Sequence, residues 1–289
     1  MKYAFIAAQD GRFRIGTICR VLGVSRSGYY ASQVRPESDR ARKNVQLLTR
    51  IREVHAESRD TYGSPRVHIR LRQTGETCSR GRVARLMTAN GIRARQKRKF
   101  RVTTNSRHNQ PVAANLLKRN FEVARPNSVW VSDITYVHTR EGWLYLSAVM
   151  DLYSRQIVGW SMKETLGSAL ASEALRMAYK NRRPVGEIIH HSDRGCQYAS
   201  AEFRRLLEAY EIRASMSGAG NCYDNAPMES FFATLKAELI HHRTYSSREE
   251  ARSDIFEYIE VFYNRQRLHS SLGYRSPSDF EAAALAEAA

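Results

Sequence analysis

The chain has 289 residues, enough for one large domain or two smaller ones with their own cores. No apolar run approaches the ~20 residues that cross a bilayer, which predicts a soluble, intracellular protein with no membrane partner. Its 46 Lys and Arg against 29 Asp and Glu give a net charge of +17, and that excess calls for a polyanionic partner, above all nucleic acid.

The charge is unevenly spread: residues 1–125 carry 28 basic and 8 acidic side chains, residues 126–289 carry 18 and 21. The first half is therefore the part expected to grip phosphate. Cys19, Cys78, Cys196 and Cys222 form no C-x-x-C pair, so neither a zinc module nor a disulfide framework is indicated.

In chain order, "RIGTICRVLGVSRSGYYAS" places Ile15, Ile18 and Leu22 at helical spacing, Gly23 as a turn and Ser25 as an N-cap. This is the cadence of a helix-turn-helix or of any small helical hairpin. Val45, Leu48, Ile51 and Val54 mark a longer helix, and "SPRVHIRL" opens with Ser64 as cap and Pro65 in the first turn. "SRGRVARLMTANGI" supplies Ser79 as cap, Val83, Leu86 and Met87 as a stripe and Gly91 as a stop. The run Arg93, Arg95, Lys97, Arg98, Lys99 and Arg101 then reads as a DNA-binding linker that tracks phosphates.

From Asn127 the pattern changes. "SVWVSDITYVHT", "GWLYLSAVMDL" and "RQIVGWSMK" are β-rich runs that predict an antiparallel meander. Helix, strand, helix, strand and helix follow, in "SALASEALRMAYKN", "GEIIHHSD", "SAEFRRLLEAYE", "IRASMS" and "APMESFFATLKAELI". The sum is an α/β domain with a mixed five-stranded sheet and flanking helices. The tail "REEARSDIFEYIEVFYN" places Ile255, Tyr258, Ile259 and Phe262 on one face, suited to its own core or to a partner subunit.

In this layout Asp133 lies in the first strand, Asp193 at the C-terminal end of the fourth and Glu229 near the start of the last core helix. Asp193 is either an ordinary loop residue or half of a cation site. If strands one and four are neighbours, the three carboxylates meet, and acids that close repel unless a divalent cation neutralises them. An all-oxygen set suits Mg²⁺ or Mn²⁺, and two such ions support in-line displacement at a phosphodiester. Lys236, two turns after Glu229, shares its helix face. "SMSGAGNCYDNAP" is a glycine-rich loop that orders on substrate, with Asn225 as a helix cap. Of His190 and His191, one is expected in the core and the other within reach of the site.

"WVSDITY", "HSDRGCQY" and "SMSGAGNCYDNAPMESFFATLKAE" resemble the three acidic motifs of the DDE transposases of the retroviral-integrase superfamily, in particular the OrfB catalytic subunit of the third numbered family of bacterial insertion sequences. The 35 residues between Asp193 and Glu229, Lys236, "YGSPRVHIRL", "RVARLMTANGI" and "YNRQRLHSSLGYRSPSDF" extend the resemblance over most of the chain. It implies an RNase H-like catalytic core preceded by a small all-helical DNA-binding region. The segments are a helix-turn-helix-like stretch at 1–35, a helical DNA-binding domain at 36–95, a basic linker at 96–125, the integrase catalytic core at 126–245 and a helical tail at 246–289.

The resemblance further implies Mg²⁺-dependent cleavage and joining of DNA at inverted-repeat ends, with Mn²⁺ as a substitute and two ions bound. Asp133, Asp193 and Glu229 are the implied catalytic metal ligands, and Lys236 the implied contact to terminal bases. Implied partners are element-end and target DNA, further copies of the chain on DNA and an upstream product joined by frameshifting; the implied place is the bacterial cytoplasm, at the nucleoid. The competing readings are an RNase H-like nuclease without strand transfer and a catalytically inactive DNA-binding regulator.

Overall fold

The computed structural model describes residues 2–34, 38–95, 111–218 and 222–288. Helices α1 (Lys2–Ala8), α2 (Ile15–Val21) and α3 (Arg26–Val34) close around Ile6, Ile18, Cys19 and Tyr29. The predicted turn is present: Gly23 takes a left-handed φ of +63° after α2, Val24 N donates to Cys19 O at 2.9 Å, and Ser25 Oγ accepts from Gly28 N at 3.0 Å.

Helices α4 (Asp39–Glu57), α5 (Ser64–Gln73) and α6 (Arg80–Ala89) follow. Two local expectations need correcting. The buried stripe of α4 is Leu47, Ile51 and Val54, whereas Val45 is 58% exposed. A row spaced by three throughout drifts about 60° per step around a helix of 3.6 residues per turn, and Val45 has drifted to the opposite side from Val54. Ser64 is the first residue of α5 rather than its cap, the cap position falling on Gly63 with no side-chain bond. Ser79 does cap α6, accepting from Arg82 N at 3.3 Å.

These three helices share one apolar cluster with the sheet and the tail, from Leu47, Ile51 and Val67 through Leu144 and Leu146 to Phe231 and Tyr258. Polar contacts fasten the junction. The Tyr62 hydroxyl accepts from Leu268 N at 2.7 Å and donates to Gln266 O at 3.2 Å, and Arg59 pairs with Glu257.

The sheet contains β1 (Val129–Thr139), β2 (Gly142–Asp151), β3 (Ile157–Lys163), β4 (Ile188–Ser192) and β5 (Ile212–Met216) in the order β3-β2-β1-β4-β5. The first three pair antiparallel, while β4 runs parallel to β1 and β5 parallel to β4. This is the predicted mixed five-stranded α/β architecture. Helices α7 (Ser168–Arg182), α8 (Cys196–Ala199) and α9 (Ala201–Ala209) cover one face through Leu175, Tyr198 and Phe203 against Trp130, Val149 and Val158. At Gly159 a Cβ would stand 2.3 Å from Ala174 O and 2.5 Å from Ala178 N, so α7 lies directly on the β3 backbone.

Helices α10 (Ala226–Glu238) and α11 (Arg248–Glu257) cover the other face, and α12 (Pro277–Ala288) ends the chain. After α11 the chain widens into a π-helical segment, Tyr258–Tyr263, where Asn264 N donates to Ile259 O at 3.1 Å. Ile255, Tyr258, Ile259 and Phe262 are all buried in the chain's own core. No helix among the described residues is long and apolar enough to cross a membrane.

Candidate active site

Strand β1 outruns β4. Their pairing ends at Ser132 opposite Ser192, whereas β1 continues against β2 to Thr139. Asp133 and Asp193 are the next residues on two neighbouring parallel strands, so their backbones stand about 5 Å apart. Beyond Ser132 the outer edge of β1 meets the start of α10, where Asn225 Nδ2 donates to Ser132 O at 3.0 Å. Asn225 thus ties α10 to the strand; its side chain makes no helix-capping bond, a correction to its expected role.

The carboxylates are held differently. Asp133 Oδ1 accepts from Ile134 N at 2.7 Å, and Asp193 Oδ1 accepts from Gly195 N at 2.9 Å. Burial first, and then the charge of Asp193, push the Asp133 carboxyl well above the usual range; the Ile134 N–H works against this, Glu229 adds to it and Lys236 opposes it. Burial also raises Glu229. Among the described residues no three Asp, Glu, His or Cys side chains converge tightly enough to enclose an ion. The two aspartates sit on the adjoining β1 and β4 segments, and Glu229, one turn into α10, adds its charge to the field at Asp133.

Lys236 Nζ lies 4.9 Å from the centre of the Tyr136 ring, which stands edge-on to Trp143 at 5.1 Å. Burial lowers the lysine's pKa, and Asp133 partly restores it. Gly195 has an ordinary φ of −59°. Its value is room: a Cβ there would meet Asp193 Oδ1 and Gln197 Oε1 at 3.0 Å. Arg194 Nε donates to Ser217 O at 2.7 Å, stapling the Asp193 turn to the end of β5.

Both histidines are interior residues, so the expectation that one reaches the site is corrected. His190 Nε2 and Ser132 Oγ are hydrogen-bonded at 2.7 Å. His191 uses Nδ1 with Ser215 Oγ at 2.8 Å and Nε2 with Ser217 Oγ at 3.2 Å. Burial pushes their pKa values down to about 3 and about 4, so both rings are neutral spacers between strands.

Sequence reasoning missed Asp224. Its Oδ2 accepts from Asn115 Nδ2 at 2.9 Å and from Gly218 N at 2.8 Å, and its Oδ1 from Arg119 Nε at 2.9 Å. Burial works to raise its pKa, but the Gly218 N–H and Arg119 outweigh it and hold the acid below the usual range. Nothing in the spacing distinguishes it, because its side-chain partners Asn115 and Arg119 lie about a hundred residues upstream. Of the basic run, Arg93 is exposed and Arg95 Nη1 donates to Glu238 O at 3.0 Å. Lys97, Arg98, Lys99, Arg101 and the glycine-loop residues 219–221 lie outside the described residues.

Comparison with known families places the Integrase core domain on residues 123–222, with a second Integrase core domain model on 229–285. An HTH-like domain matches residues 42–100, which hold most of α4 with α5 and α6, downstream of the cadence read at residues 15–31. The transposase InsF for insertion sequence IS3A of Escherichia coli (strain K12) is 43% identical over 283 residues, covering 97% of this chain and 98% of that one. The chain belongs to the IS3-family transposases. A 31 kDa protein of insertion element IS600 from Shigella sonnei, itself described as uncharacterized, is 49% identical over 263 residues, 91% of this chain and 97% of that one. Among solved structures, a simian T-cell lymphotropic virus intasome is similar with a TM-score of 0.47 and 16% identity, over 79% of this chain and 73% of that one. The activity class of this transposase is accordingly DNA transposition by a polynucleotidyl transferase core, and the HTH-like helices make it a DNA-binding protein.

Proposed function

We propose that this transposase cleaves and joins DNA at the ends of an insertion sequence, with Asp133, Asp193 and Glu229 as catalytic carboxylates that hold divalent metal. The observation that carries the reading is the adjacency of Asp133, inside β1, and Asp193, just past the end of the parallel β4, with the Asp133 carboxyl destabilised as an anion by burial and by its two acidic neighbours. A cation removes that repulsion, and an all-oxygen donor set fits Mg²⁺ or Mn²⁺. When bound, two such ions supply activation of the attacking oxygen and stabilisation of the leaving one.

The chain's own residues do the rest. The Ile134 and Gly195 amides hold Asp133 and Asp193 in position, and Asn225 fixes the start of the helix that brings in Glu229. Lys236, packed over Tyr136 beside Asp133, is the cation offered to DNA next to the reacting phosphate. The helical region at 36–95 and the run from Arg93 to Arg101 grip the duplex, and both ends of an element are held in one complex, which calls for at least two copies of the chain. An upstream product joined by frameshifting is the further partner proposed.

A strand-transfer assay with labelled element-end DNA and Mg²⁺ tests this, comparing the native protein with Glu229→Gln. Joined product from the native protein alone is expected. Cleavage without joining leaves only a nuclease, and equal activity in both proteins sinks the assignment of Glu229.

A further inference from the structure

The helix that carries Glu229 has a second functional face. Pro227, Ser230, Phe231, Thr234 and Glu238 of α10 line a cleft of about 470 Å³, while Glu229 and Lys236 project about half a turn away. Its other walls come from the start of α5, the segment after α6, the β2–β3 turn and the chain that follows the π-helical segment. The cleft therefore lies behind the carboxylate site and between the HTH-like helices and the core.

Among the described residues four guanidiniums converge on it, Arg66, Arg95, Arg155 and Arg267, and Glu238 is the one acid that lines it. That acid is committed: Arg267 grips it through Nε at 2.8 Å and Nη2 at 2.7 Å, and the Tyr258 hydroxyl donates to it at 2.7 Å. Arg95 faces Asp60 at 3.5 Å. Arg66 is held over the Tyr62 ring at 5.6 Å, and Arg155 Nη2 donates to Phe121 O at 3.3 Å. These contacts position the last two cations without neutralising them.

A second observation is independent of the charge. His269 lines the same cleft, is only 9% exposed, and its Nε2 is buried with no hydrogen-bond partner. A buried polar atom left unpaired by the protein calls for a partner from outside the chain, a water or a ligand. Burial, then Arg267, Arg66 and Arg155, push this ring's pKa down to about 2; it is neutral, and in the tautomer protonated at Nε2 it donates to an anion.

We infer that this cleft is a phosphate site, in which Arg66, Arg155 and His269 bind a backbone phosphodiester of DNA held by the transposase. A planar guanidinium presents paired N–H donors that match two phosphate oxygens, and two uncompensated cations favour an anion. Exposed Ser230, Ser270 and Ser271 at the rim leave the cleft open along one side, which suits a point on a continuous strand better than an enclosed small molecule. That the phosphate belongs to DNA rests on the proposed function; the affinity for a phosphate ester does not.

The test is fluorescence anisotropy of the full chain, without divalent metal, on a labelled duplex of about 30 base pairs over a salt series. Arg66→Ala and Arg155→Ala are each expected to shallow the slope of log K against log salt by about 1, and to weaken binding about 5-fold near 0.15 M salt. Arg66→Lys keeps the charge and is expected to keep the slope, which separates lost contact from lost fold. Arg213→Ala, an exposed arginine paired with Glu187 at 2.6 Å, reports the background. Cleft variants that behave like Arg213→Ala overturn the inference, as does a stabilisation by inorganic phosphate that vanishes in Arg66→Ala while DNA slopes stay unchanged, because the ligand is then a free phosphate. Failure of the native chain to bind duplex at all would instead remove the proposed function.

Discussion

At the scale of single residues, Asp193 shows how little of a side chain's role lies in its type. Its position one step past the end of β4, opposite the continuing β1, makes it a partner of Asp133. Asp193→Asn preserves shape and the bond from Gly195 N while removing the charge. Strand transfer is expected to fall on the order of 10²–10³-fold with duplex binding retained; loss of both together, seen in one gel-shift and joining experiment, would mark a folding defect.

The histidines beside Asp193 carry a different prediction. His190 and His191 have folded pKa values of about 3 and about 4 against 6.5 for the free side chain. The unfolded chain therefore binds protons between these values that the folded chain refuses. Their contribution is complete above pH 6.5 and is lost as pH falls through that value, roughly 2 kcal/mol per ring by pH 5. Thermal unfolding at pH 7.5 and pH 5 in the same ionic strength measures it; a midpoint independent of pH would contradict the buried, neutral assignment.

Elements were legible wherever local rules act alone. The five strands and the helices around them follow from alternation and from 3.6-residue periodicity, and the Ser25 and Ser79 caps from the preference of hydroxyls for free helix N–H groups. Expectations failed where the answer depends on what the element touches. Asn225 serves strand β1 rather than its own helix. Nothing local demands a glycine at position 159; the demand comes from α7 pressed onto β3. Gly159→Ala is expected to cost about 3 kcal/mol, seen as a fall of roughly 6–12 °C in Tm. A change under 2 °C would mean that α7 shifts away without cost.

Across the whole molecule, the shared cluster that runs from α4 to the π-helical segment means that the HTH-like helices and the integrase core fold as one apolar unit. Deleting residues 1–95 exposes the tail and core side chains that Leu47, Ile51, Val67 and Leu71 cover. The truncated chain is expected to bind a hydrophobic dye strongly and to lose cooperative unfolding, whereas a soluble, cooperatively melting fragment would show that the junction is a docked contact between separable parts.

The amino-acid sequence by itself determined the charge asymmetry, the order and kind of the core elements, and the three acids with Lys236 at their spacing, because each is written in composition or short-range pattern. The tertiary structure alone decided that β4 lies beside β1, that both histidines face hydroxyls inward, that Asp224 is answered by Arg119, and that four arginines from four distant segments meet behind α10. Each of these is a meeting of residues tens to hundreds of positions apart. Periodicity carries no record of such contacts, since they are set by which surfaces bury most apolar area when the whole chain closes.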